Sequence, residues 1–225
     1  MVEVPSRSEF DDLRARVAVL EARPPGTTPP PAPVPVPSGR VTRQGGQLVL
    51  GGTPFRFAGV NLEHAVGCGL PGAQPTDAQA NLFFAQLGPQ PKVARVWVMP
   101  GISTSWQQNY RRIVEAAGRN GHKLIVTLFN GQPDCTNRQV TDHSTPGGGL
   151  PSWQADWVRA VVREHAGNPA VMAYECANEA NEGNGNIGAW YGAVAVLVRG
   201  LDPDALVFTG GGHNSNNADV IAGWV

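Results

Sequence analysis

Residues 170 to 179 constrain the fold of this chain more than any other stretch. They open with an unbroken apolar run, Ala170 to Tyr174, and continue through Glu175, Cys176 and Ala177 to the polar pair Asn178 and Glu179. A run of that length and bulk fits a parallel strand buried on both faces. A carboxylate placed where such a strand surfaces is positioned, not merely solvated. In a barrel of alternating strands and helices, that end of the strand is where catalytic groups sit. Without further context, Glu179 could equally open an ordinary loop.

From residue 41 the pattern is regular. Residues 41 to 55 read as a hairpin with Gly45-Gly46 and Gly51-Gly52 as turns. Strands follow at 55 to 61, 93 to 99, 123 to 129, 170 to 177 and 206 to 209. Helices fall between them: one over 76 to 87, one carrying Trp106, Tyr110, Ile113, Val114 and Ala117, one carrying Trp153, Trp157, Val161 and Val162, and one carrying Ile187, Trp190, Tyr191, Val194 and Val198. Short apolar strands alternating with helices mean an α/β domain with a parallel sheet.

The segment from Tyr174 to Glu179 (Tyr-Glu-Cys-Ala-Asn-Glu) resembles the Trp-Glu-Leu-Ala-Asn-Glu-Pro signature at strand four of family 5 glycoside hydrolases and their clan relatives, the cellulases and mannanases. Other landmarks fall in the matching order: residues 51 to 61 for strand one, 93 to 97 for strand two, and 201 to 209 leading through strand five. The resemblance covers roughly residues 41 to 215. It implies a (β/α)8 TIM-type barrel of which about five strands are present, whereas eight strands and typically about 250 residues complete one.

By this resemblance Glu179 is the acid/base, and Asn178 contacts the sugar 2-hydroxyl. A retaining glycosidase also needs a second carboxylate about 5 Å away as nucleophile. In the family that is a Glu on strand seven, and Glu182, Asp202, Asp204 and Asp219 do not match it. The expectation is therefore that the 225 residues are a fragment of a longer chain. Arg95 matches the arginine of the family's strand two that braces the nucleophile, and a structural salt bridge is the competing reading. Glu175 faces away from Asn178 if the strand is regular, and an ion pair with Arg95 or another base is as good a reading for it as catalysis. Asn61, Glu63 and His64 close strand one and could line the cleft. Where the family often has a histidine near the end of strand three, this chain has Asn130, a possible hydrogen-bonding substitute. His213, in a glycine loop after strand five, is a further candidate for sugar contact. Residues 131 to 149 form a long loop with Asp134, Asp142 and His143, expected to shape specificity. His122 and His165 are expected at the surface.

Ahead of the domain, residues 6 to 22 read as an amphipathic helix. Phe10, Leu13, Val17 and Leu20 form a two-heptad seam too short to be stable alone, so the helix is expected to self-associate. Residues 23 to 39 carry eight prolines and read as a semi-rigid polyproline spacer. The division is thus 1–22 coiled-coil helix, 23–39 linker and 40–225 barrel. That arrangement resembles virion proteins of tailed bacteriophages. It implies a trimer, phage-tail partners and a virion or extracellular location, in keeping with an amino terminus that does not read as a secretory signal.

A net charge of −1 excludes a polycationic footprint, so nucleic acid is not an expected partner, and no apolar run reaches a membrane span. Cys68, Cys135 and Cys176 have no zinc-motif spacing, and neither metal nor cofactor is expected. Cys68 and Cys135 follow strand ends on one face and could form a bridge, while Cys176 reads as a small buried apolar residue. The leading expectation is a tail component that binds or cleaves cell-surface polysaccharide. The alternatives are a stand-alone endo-β-glycanase of mannanase or cellulase type, and a non-catalytic sugar-binding or structural tail protein.

Overall fold

The computed structural model describes residues 39–68, 74–136, 140, 150–180 and 187–210. The seam residues Phe10, Leu13, Val17 and Leu20, the linker as far as Ser38, His213, Asp142 and His143 lie outside them.

A three-stranded antiparallel sheet comes first: β1 (Val41–Gln44), β2 (Gln47–Leu50) and β3 (Thr53–Pro54). Gly45 and Gly51 take φ of 56° and 60° in the two turns, which is the conformation those glycines permit. Five parallel strands follow in sequence order: β4 (Gly59–Leu62), β5 (Val93–Trp97), β6 (Lys123–Thr127), β7 (Val171–Glu175) and β8 (Leu206–Phe208). Helices α1 (Asp77–Gln86), α2 (Trp106–Arg119), α3 (Ser152–Glu164) and α4 (Ile187–Leu201) separate successive strands.

Local chemistry explains the boundaries. Thr76 caps α1 in a reciprocal capping box with Gln79. In α2, Tyr110, Ile113, Val114 and Ala117 recur at helical spacing and are all buried, so one stripe of the helix faces the sheet.

Strand alternation, interrupted once at Met172 where the β6–β7 register skips from Leu124↔Val171 to Ile125↔Ala173, sorts the sheet residues into two cores. Ala94, Val96, Leu124, Val126, Val171 and Tyr174 pack under the helices. On the other face, Val93, Met172 and Ala173 meet Val41 and Leu50 of the hairpin, with Phe55, Ile125, Leu206 and Phe208 around them. The hairpin therefore covers the amino-terminal end of the sheet's inner face. Arg40 ties it there: Nη1 donates to Asp202 Oδ1 at 2.6 Å and Nη2 to Oδ2 at 2.5 Å. Lys123 Nζ adds bonds to the carbonyls of Gly39 and Pro169, at 2.7 and 2.9 Å.

Two expectations need correction. His122 is buried, not superficial: its Nδ1 accepts from Lys92 N at 3.1 Å and its Nε2 lies 2.8 Å from Phe84 O, which fixes the neutral tautomer. His165 is half-buried with its ring edge-on to Tyr110 at 4.7 Å. Both rings sit at helix and strand ends where the core closes, a long-range consequence invisible in local sequence.

Candidate active site

The parallel register places the polar residues of four strands at one end of the sheet. Asn61 pairs with Arg95 in register, and Thr127 pairs with Glu175. These positions point to the inner face, by alternation with the residues under the helices. Arg95 is long enough to cross β6: its Nε donates to Glu175 Oε2 at 2.7 Å and its Nη2 lies 2.6 Å from the same oxygen. Thr127 Oγ1 donates to that oxygen too, at 2.5 Å. Glu175 is only 8% exposed as a residue, so these charge-assisted bonds are what make the burial of its carboxylate tolerable. The Arg95 guanidinium also stands 5.7 Å from the centre of the Trp97 ring.

Arg95 simultaneously reaches Asn178, with Nη2 donating to Oδ1 at 3.0 Å. A regular strand would send Glu175 and Asn178 to opposite faces, and the structure corrects that expectation. Successive N–H groups of a regular strand serve its two neighbours alternately. Here Cys176 and Ala177 both donate toward β8, to Phe208 O at 2.8 Å and Thr209 O at 3.3 Å. Asn178 N then returns to the β6 side, at Phe129 O, 2.8 Å. This one-residue bulge shifts the alternation and brings Asn178 onto the same side as Glu175.

Beyond β7 the chain stays tightly held. Asn178 and Asn130 form an isolated parallel bridge, and Asn178 Nδ2 donates to Asn130 Oδ1 at 3.0 Å. Asn130 Nδ2 in turn donates to the carbonyl and side chain of Asp134, at 2.6 and 2.8 Å. Asn130 is wholly buried, so it does not offer itself to a sugar; it positions Asn178 instead.

Glu179 follows with φ +44° and its N–H on Gly210 O at 3.2 Å. Glycine is required where these loops converge. A Cβ at Gly131 would stand 2.1 Å from Glu179 O, and one at Gly210 would stand 2.0 Å from Ala177 O.

On the other flank, Asn61 accepts from Arg95 Nη1 at 3.4 Å and donates through Nδ2 to Glu63 Oε2 at 2.9 Å. Glu63 Oε1 lies 3.3 Å from His64 Nε2, and His64 Nδ1 lies 2.8 Å from Cys68 O. Asn61, Arg95, Asn130 and Asn178 thus share one network, with His64 at its edge. Residues 61–65 also border a cavity of about 330 Å³ floored by Ala80, Phe83, Phe84 and Ile113.

Cys68 and Cys135 are joined in a disulfide. Their sulfurs and a His64 ring nitrogen lie within 4.8 Å of one another, a grouping that sequence spacing did not reveal. Both sulfurs are engaged in the S–S bond, so no thiolate pair is offered to an ion. Cys176 is buried, and burial pushes its thiol far above the ordinary range.

Sequence reasoning gave no role to Thr127 or Asp134. Thr127 was findable as the last inward position of β6; Asp134 was not, because it acts through a loop contact.

Five parallel strands, four of them followed by a helix on the outer face, and a polar cluster at their carboxyl ends define an α/β protein of the TIM-barrel type, incomplete among the described residues. Residues 77–223 match the family model of Cellulase (glycosyl hydrolase family 5), and the chain belongs to that family. It is similar to mannan endo-1,4-beta-mannosidase F of Aspergillus fumigatus, with 30% identity over 112 residues, which is 44% of this chain and 25% of that protein. It is also similar to the probable mannan endo-1,4-beta-mannosidase C of Aspergillus terreus, with 27% identity over 82% of this chain and 58% of that protein. The chain thus spans between a quarter and three fifths of the length of these two relatives. Among solved structures, the glycoside hydrolase family 5 mannosidase from Rhizomucor miehei aligns at a TM-score of 0.59 and 14% identity, over 82% of this chain and 58% of that one. At that identity the likeness is one of fold.

Proposed function

We propose that this chain forms the acid/base half of an endo-β-1,4-glycanase acting on a mannan-type polysaccharide. The carrying observation is the placement of Asn178 and Glu179 at the carboxyl end of β7. Asn178 is fixed by both Arg95 and Asn130, and Glu179 is the next residue. Family membership and the mannan-directed relatives support the substrate class. In this reading Glu179 protonates the leaving glycosidic oxygen and Asn178 holds the 2-hydroxyl of the attacked sugar. Arg95 and Glu175 keep that end of the sheet rigid, and no cofactor takes part.

The test is sugar release from β-1,4-mannan by the full-length polypeptide, beside cellulose and an α-linked glucan. Glu179→Gln should lower kcat by about 10²-fold or more with little change in KM, since general acid catalysis contributes on that order. Unchanged kcat removes Glu179 from the acid/base role, and equal release from the α-glucan overturns the substrate class. A glycanase reading takes precedence here over a phage-tail component. The family model and relatives speak to the glycan-active domain, whereas the trimer, the tail partners and the virion location rest on residues 1–39.

A further inference from the structure

The polar contacts around the site, hydrogen bonds together with one Glu63–His64 ion contact, close into a ring through the disulfide. One arm runs from Arg95 to Asn178, to Asn130, to Asp134, the residue preceding Cys135. The other runs from Arg95 to Asn61, to Glu63, to His64, to the carbonyl of Cys68. The Cys68–Cys135 bond joins their ends, with the Cα atoms 4.6 Å apart. The two cysteines are 67 residues apart in sequence and follow different strands, β4 and β6.

Two details show that the loop carrying Asp134 is held, not merely near. Cys135 has φ +55°, a conformation that a side-chain-bearing residue keeps only when its surroundings impose it. Thr136 Oγ1 donates to Pro100 O at 2.8 Å, fastening the far side of the same turn to the loop after β5. Asp134 is the acceptor for both hydrogens' worth of Asn130 Nδ2 bonding, through its carbonyl and its carboxylate. Any movement of the turn is therefore passed to Asn130, and from Asn130 Oδ1 to the amide of Asn178.

We propose that the Cys68–Cys135 disulfide is a positioning cross-link for Asn178. It fixes Asp134 so that Asn130 holds the Asn178 amide in one orientation, leaving its Oδ1 on Arg95. Cys68 and Cys135 touch no reacting atom; they act through two intermediate side chains. The consequence for sugar affinity rests on the glycanase reading above, whereas the consequence for the Asn178 amide does not.

The experiment is side-chain amide exchange followed by nuclear magnetic resonance in the oxidised protein. It is compared with a Cys68→Ser/Cys135→Ser variant and with wild type treated with a dithiol, which takes over the disulfide and leaves two thiols. The Nδ2 hydrogens of Asn130 and Asn178 should exchange about tenfold faster or more without the bond. The Trp190 indole N–H, which donates to Gln154 Oε1 at 2.6 Å in the helix layer, should stay as slow as before. In parallel, affinity for a β-1,4-linked manno-oligosaccharide should fall about tenfold, the scale expected from misplacing one binding group. Unchanged Asn130 and Asn178 exchange overturns the proposal, as does acceleration shared equally by the Trp190 indole, which is general loosening. If the oxidised protein binds no manno-oligosaccharide while the amides still respond selectively, the positioning role is upheld and the glycanase reading fails.

Discussion

Replacing Arg95 by Met tests the central ion pair. Arg95 is the sole cation on Glu175 among the described contacts, and it also supplies one of the bonds that orient Asn178. Its loss leaves a carboxylate whose side chain is 11% exposed with Thr127 Oγ1 as its remaining side-chain donor among the described residues. Breaking a buried pair by removing one partner costs about 3–5 kcal/mol. The Arg95 side chain is 24% exposed, however, so water enters where the guanidinium stood and replaces part of what is lost. The expected destabilisation is therefore about 2–3 kcal/mol. For a domain of this size that is a fall in Tm of roughly 5–10 °C. The double variant Arg95→Met/Glu175→Gln removes the stranded charge while keeping an acceptor for Thr127. It should recover most of the loss, ending within about 1 kcal/mol of wild type. Urea denaturation of wild type, both singles and the double gives the coupling directly. A coupling below about 0.5 kcal/mol, or an Arg95→Met variant as stable as wild type, refutes the claim that Arg95 makes Glu175 tolerable at the sheet's end.

Gly210→Ala combines φ +71° with a Cβ placed 2.0 Å from Ala177 O and 2.6 Å from Glu175 Cγ, so it should cost about 3 kcal/mol or more by urea denaturation. Gly167→Ala, at φ +76° with nothing within 4 Å, should cost only the left-handed penalty of about 1–2 kcal/mol. Equal effects would show that the two loops do not approach as described. Burial holds His122 and His165 below the ordinary histidine range, so the native state binds fewer protons than the unfolded chain as pH falls below about 6.5. Their contribution to stability is complete above that pH and is lost on acidification, with a limiting slope of about 1.4 kcal/mol per pH unit for each ring. His122→Gln should flatten the fall in urea midpoint between pH 7 and 5; an unchanged slope would mean His122 is not buried neutral.

Most of the scaffold is legible in the sequence because it follows from local pattern. Short apolar runs locate all five parallel strands, helical spacing locates the four helices, and paired glycines locate the turns of the hairpin. Asn178 and Glu179 stand out for the same reason, as polar residues ending a buried run. What escapes is decided by contacts between distant segments. Whether His122 is buried depends on where Phe84 and Lys92 arrive. Asn130 looks like a substrate contact until the loop at Asp134 folds over it and takes its hydrogens.

The bulge at Cys176 and Ala177 is the most consequential of these, because strict alternation gives the wrong face for Asn178. Nothing in those two small residues announces an extra backbone step. The cause lies across the sheet: Phe208 and Thr209 of the neighbouring segment each accept from one of two consecutive N–H groups. That pairing needs the chain after β8 to lie close, which Gly210 permits and any larger residue would obstruct. A single glycine 32 residues further on therefore helps determine which way Asn178 faces, and with it whether Arg95 can hold Glu175 and Asn178 at once. The site is thus a property of the sheet's pairing and cannot be assigned to its signature residues alone.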